Sequence, residues 1–99
     1  MLLMLGGGCS QRAKEKNISP EEERGRQTYM ANCMACHNAD PAQPGTVGPS
    51  VKGSSRELVD ARVTRAAYPA GYKPKRETKL MIAMPHLADR VDDLAAYLR

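Results

Sequence analysis

The apolar positions of residues 19–98 recur at helical spacing in three stretches, and none alternates with period two for long enough to make a strand. The first stretch opens at Ser19-Pro20-Glu21-Glu22-Glu23. Ser19 suits an N-cap and Pro20 the first helical position. Three acids follow where the helix dipole favours negative charge, with Glu22 placed for a capping box. Gly25, Tyr29 and Cys33 then share one face at spacing four. A glycine inside a helix costs about 1 kcal/mol relative to alanine, a cost that often marks the close approach of another helix. Residues 38–54 hold three Pro and three Gly and read as a loop. Ser54 or Ser55 caps a second helix from about Arg56 to Ala67, with Val59, Val63, Ala66 and Ala67 along one side. Tyr68-Pro69-Ala70-Gly71 ends it, and a charged loop runs on to about Lys79. A last helix, capped by Asp89, reaches Leu98, with Val91, Leu94, Ala95 and Leu98 on its apolar face and Tyr97 at the edge. The pattern predicts a small all-α domain over 19–99.

Composition makes that domain incomplete. A chain of 99 residues forms one domain, and domains of this size have a poor ratio of core to surface. Here there is no Phe, no Trp and only four Tyr, although large aromatics normally supply much of a small core. The chain is short of hydrophobic filling unless something other than an amino acid occupies the centre.

The chemistry lies in Cys33-Met34-Ala35-Cys36-His37, where the first helical stretch ends. A structural zinc site needs four ligands, and the only other Cys and His are Cys9 and His86. A thiol oxidoreductase sets its Cys-x-x-Cys after a strand in a βαβ unit, which this chain does not offer. Haem attachment asks for this motif: two thiols add across the vinyl groups and the adjacent imidazole lies beneath the iron. A haem would also be the large, flat, apolar body that the core lacks.

Gly25-x-x-x-Tyr29-x-x-x-Cys33-x-x-Cys36-His37 resembles the opening of class I cytochromes c, and the resemblance extends over residues 20–99, although much of 68–79 matches nothing in the pattern. It implies a small cytochrome c fold, with three main helices around one covalently bound haem c. Gly25 and Tyr29 would pack against Leu94 and Tyr97 of the last helix. The Gly48-Pro49 pair resembles the family's Gly-Pro, whose proline carbonyl accepts the Nδ1 hydrogen bond of the ligand histidine, orienting it and raising its basicity. The cofactor-binding residues implied are Cys33, Cys36, His37, Pro49 and Met84, with His37 and Met84 on the metal. Met84-Pro85 resembles the family's ligand loop; Met81 is the second candidate and His86 the third. Ordinary packing remains the alternative for either methionine. An iron with both axial positions filled has none open for substrate, which implies an electron carrier and not an enzyme. A haem enzyme or a gas or redox sensor, the competing class, requires a weak or absent sixth ligand.

Charge and the N-terminus add partners and location. Residues 49–80 carry eight basic and three acidic side chains within a chain of net charge +4. No nucleic-acid motif or stacking aromatic accompanies them. They form either a solvated face or a docking surface for an acidic redox partner, with Lys52, Lys73, Lys75, Arg76 and Lys79 as its candidates. MLLMLGGGCSQR is too short to span a membrane. Its apolar run, small residues and Cys9-Ser10 resemble the end of a bacterial lipoprotein signal, with residues 1–9 the signal-like segment and 10–18 a tether; the alternative is a plain tail. Haem attachment in bacterial cytochromes c occurs outside the cytoplasm, so the resemblance implies the periplasmic side of a membrane. Lipidation at Cys9 would remove the one thiol left over in an oxidising compartment.

Overall fold

The computed structural model describes residues 18–76 and 79–99, so Cys9 and the segments 1–9 and 10–17 lie outside the described residues. Helix α1, Pro20–Asn32, starts as its sequence predicts: Ser19 Oγ accepts from the Glu22 amide at 3.1 Å, and Glu22 Oε1 accepts from the Ser19 amide at 2.8 Å. Cys33 leaves helical geometry at ψ −30° and φ −123° while its amide still reaches Tyr29 O at 2.8 Å. One further turn, α2 (Met34–His37), carries the rest of the motif.

Ser55, not Ser54, caps α3 (Arg56–Arg65), its Oγ accepting from the Leu58 amide at 3.1 Å. The helix stops before Ala67 because Ala66 turns left-handed at φ 53°. The Ala66 and Ala67 amides then satisfy the Arg62 and Ala61 carbonyls at 3.1 and 3.0 Å. Tyr68-Pro69-Ala70-Gly71 lies past this stop and does not make it.

The last helix differs more. Asp89 is not a cap: a 3-10 segment, Pro85–Arg90, runs directly into α4 (Val91–Leu98), and no side chain caps the junction. A chain that is already helical brings its own carbonyls to the first amides, so no capping side chain is required. Among the described residues there is no strand.

Helices α1 and α4 cross at Gly25. A Cβ there would strike the carbonyl of Asp93 and lie 2.8 Å from Tyr97 Cβ. Beside the crossing the Tyr29 and Tyr97 rings meet at 5.6 Å, and Arg24 pairs with Asp93 at 3.2 Å. Arg56 pairs with the adjacent Asp92 at 2.6 Å, so neighbouring acids on α4 reach toward both other helices. The Arg56–Asp92 pair is exposed and the Arg24–Asp93 pair partly so, and they fix register more than stability. Tyr29, Val91 and Leu94 are the largest fully buried side chains, joined by Val59, Val63, Leu87 and Leu98. Cys33, Met81 and Met84 pack at the margin of this cluster, which therefore ends at a cleft instead of closing on itself.

Candidate functional site

Cys33, at the junction of α1 and α2, and Cys36 and His37 of α2 stand on the wall of that cleft, which measures ≈ 410 Å³. Both thiols are free; Cys33 is half-buried and Cys36 exposed. Burial, and then the neighbouring Cys36, push the Cys33 thiol up to about 11. A redox-active dithiol needs the opposite shift, toward thiolate. Among the described residues no three His, Cys, Asp or Glu side chains gather as a metal-ion site.

The loop after α2 folds back beneath His37. Gly48 N and Val47 N donate to Cys36 O at 2.8 and 3.3 Å, fixing the return. Gly48 lies flat against the imidazole: a Cβ would stand 2.5 Å from Nδ1 and 2.9 Å from Nε2. The next residue supplies the partner, with His37 Nδ1 at 2.8 Å from Pro49 O. A carbonyl can only accept, so Nδ1 carries a proton, and in the neutral ring Nε2 is then the nitrogen with the lone pair. This is the tautomer a metal-binding histidine needs.

Met81 and Met84 line the same cleft, both half-buried. Met84 is held on both sides by main chain: its amide donates to Val63 O at 2.6 Å and its carbonyl accepts from Leu87 N at 2.9 Å. His86 is exposed and is not part of the cleft wall. Leu80 and Ile82 stand at the rim, 70% and 74% exposed, large apolar side chains bordering a space that no side chain fills.

Three residues of the wall, Arg62, Tyr68 and Tyr72, are not apparent from the sequence. Arg62 Cζ sits 4.1 Å over the Tyr68 ring, and Tyr68 stacks on Tyr72 at 5.5 Å and 12°. The signal available was two tyrosines bracketing a Pro-Ala-Gly turn in a basic segment, which has no periodicity to read. Two of the candidate docking cations are also partly engaged. Lys75 Nζ donates to Ser50 O and Arg76 Nη2 to Gly45 O, each at 3.0 Å, which ties residues 75–76 to the loop under His37.

The residues present fit a covalently held haem: two free thiols, an apolar cleft beside them, and an imidazole with its acceptor nitrogen available. A family model described as cytochrome c matches residues 22–99. The chain belongs to the cytochrome c family. Cytochrome c-550 of Bacillus subtilis (strain 168) is 31% identical over 103 residues, covering 96% of this chain and 69% of the relative. No solved structure gives a significant match. As a class I monohaem cytochrome c, the protein holds haem c covalently through Cys33 and Cys36 and carries electrons between redox partners. The all-α cytochrome c fold expected from the sequence is the fold observed.

Gly48 gives the first testable consequence. Gly48→Ala places a methyl group against a ring that already touches the backbone. The expected result is loss of the His37–Pro49 bond and a haem yield at least about tenfold below the parent, measured as absorbance per unit of protein, since disturbing the partner of a ligand histidine typically costs 10–100-fold.

Proposed function

We propose that this cytochrome shuttles single electrons on a haem ligated by His37 and Met84, on the periplasmic side of a bacterial membrane. The observation that carries the ligand set is the His37 Nδ1–Pro49 bond on one wall of the cleft, with main-chain-anchored Met84 on another. When bound, the haem supplies the one-electron ferric–ferrous couple. Its thioether ligand favours the ferrous state and raises the potential. The protein's own part is to hold the imidazole in one tautomer and to keep the reacting centre within apolar walls. Residues 19–99 form the haem domain. Residues 1–9, which resemble a lipoprotein signal, would supply the lipid anchor at Cys9, with residues 10–18 linking it to the domain.

Replacing Met84 with alanine tests the ligand. Met84→Ala is expected to abolish the weak red charge-transfer band of sulfur-ligated ferric haem and to open the iron to small ligands, whereas Met81→Ala keeps the band. The reverse outcome would assign Met81. A parent without the band, with a spectrum that neither change alters, would exclude both methionines and leave His86 as the candidate.

Partners are redox proteins with acidic docking surfaces, met by a monomer through its basic middle segment. Lys73 and Lys79 are exposed, and the Lys52 ammonium lies 3.4 Å from Tyr97 O on an exposed surface. Lys52, Lys73 and Lys79 reversed together to Glu should slow bimolecular transfer to an acidic partner and leave the spectrum unchanged. The parent rate should fall steeply with ionic strength, because exposed charges are screened over about 8–10 Å at 0.1–0.15 M salt. Salt-independent rates in stopped-flow for parent and variant would identify the basic segment as a solvated face only.

A further inference from the structure

Asn38 immediately follows the motif, and every polar group it has is used. Its amide donates to Met34 O at 3.0 Å, and its Nδ2 donates to Pro44 O at 3.1 Å. Its Oδ1 accepts from the Asp40 amide at 2.9 Å, and its carbonyl accepts from the Tyr29 hydroxyl at 2.5 Å. These four bonds reach α2, the loop that returns under His37, the turn between them, and α1. The backbone they hold is unusual. Asn38 has φ 91° and ψ 144°, beyond the left-handed helical well and at the edge of a region that glycine alone commonly enters. A non-glycine residue persists there only when its surroundings over-determine it.

The consequence is geometric. The reversal at Asn38 sends the chain away from α2, and the loop then comes back with Gly45 against the Cys36–His37 backbone and Gly48 against the imidazole. The Nδ2–Pro44 bond ties the return to its own starting point, four residues ahead of Gly48. The Tyr29 ring is fully buried and cannot shift without moving the α1–α4 contact. Its hydroxyl is therefore a fixed point on the rigid part of the fold.

We propose that Asn38, held by the Tyr29 hydroxyl, is a positioning residue for His37: it sets where the Pro49 carbonyl stands relative to the imidazole, and through that bond the electron affinity of the haem. This rests on His37 being the axial ligand. A loosened Nδ1 bond makes the imidazole a less basic ligand, which favours the ferrous state, so the midpoint potential rises.

The holoprotein is compared with Tyr29→Phe and Asn38→Gly. The first keeps the buried ring and removes the donor. The second accepts the backbone conformation and removes the two side-chain bonds. Thr64→Val, which loses a hydroxyl bond to Asp60 O on α3, is the control for a merely weakened fold. For both test variants, exchange of the His37 Nδ1 proton should quicken by about tenfold, the effect of losing roughly one net hydrogen bond. The pattern of haem-methyl shifts in the ferric proton spectrum, which follows the imidazole plane, should change, and the midpoint should rise. Thr64→Val should alter none of the three. If the test variants only melt earlier, with proton exchange, methyl pattern and potential at parent values, Asn38 supports the fold alone and the proposal is overturned. A parent lacking hyperfine-shifted His37 ring resonances would refute the ligand assignment itself, and this inference with it. Should Asn38→Gly fail to fold, Tyr29→Phe decides alone.

Discussion

Replacing Cys33 and Cys36 together with serine is expected to give a chain that carries no haem and does not fold. Serine is close to cysteine in size, and neither cysteine is among the fully buried side chains, so the substitution itself removes little packing. The loss is the attached group. The buried apolar side chains form one cluster, and that cluster ends at a cleft of ≈ 410 Å³ walled by Tyr29, Val59, Leu94 and Leu98. Without a haem those walls face water. A helical domain in a chain of 99 residues with no Phe or Trp has no alternative filler. Binding of a group that only the folded chain can hold is folding free energy, and for a marginal domain its removal exceeds the remaining stability. Circular dichroism should show loss of the parent's helical signal, and denaturing electrophoresis with haem staining should show no band where the parent shows one. A double variant that stays helical and melts cooperatively would rule out a core centred on the haem.

Gly25→Val has the next largest expected effect. The first atom of the new side chain would strike the Asp93 carbonyl and lie 2.7 Å from its carbon, and this is backbone of α4 that cannot rotate aside. Overpacking in a core that can yield costs about 1–3 kcal/mol. Here relief requires moving α1 away from α4, and α1 leads directly into the haem-attachment turn. The cost should therefore exceed about 3 kcal/mol, which in a domain of this size lowers the melting temperature by roughly 12 °C or more. Calorimetry on the holoprotein measures it. An unchanged melting temperature would mean that α1 and α4 are not in backbone contact at Gly25.

The sequence showed this site clearly where local rules govern and poorly where they do not. The capping box at Ser19, the Gly25–Tyr29–Cys33 face and the apolar face of the last helix follow from spacing alone, and each is found in the structure. Gly48-Pro49 was legible only by resemblance, and it packs under His37 as that resemblance implied. The sequence places the start of the last helix at Asp89, which looks like a cap, whereas in the structure Pro85 has already begun a 3-10 turn. Nothing in a helical period distinguishes a capped start from a continued one. The Arg62–Tyr68–Tyr72 stack and the ties from Lys75 and Arg76 were not legible. They join loop residues that no periodicity connects, and a cation in a basic segment gives no sign of whether its head meets solvent or a carbonyl.

The proposed ligand set, His37 with Met84, would leave the haem iron no position open to an added ligand. The direct test is to reduce the holoprotein and add carbon monoxide while recording the absorption spectrum. An electron carrier so ligated should keep its low-spin ferrous spectrum unchanged, because neither protein ligand gives way. Prompt conversion to a carbon monoxide adduct in the parent protein would show an open coordination position, and would contradict the account in favour of a sensor or an enzyme.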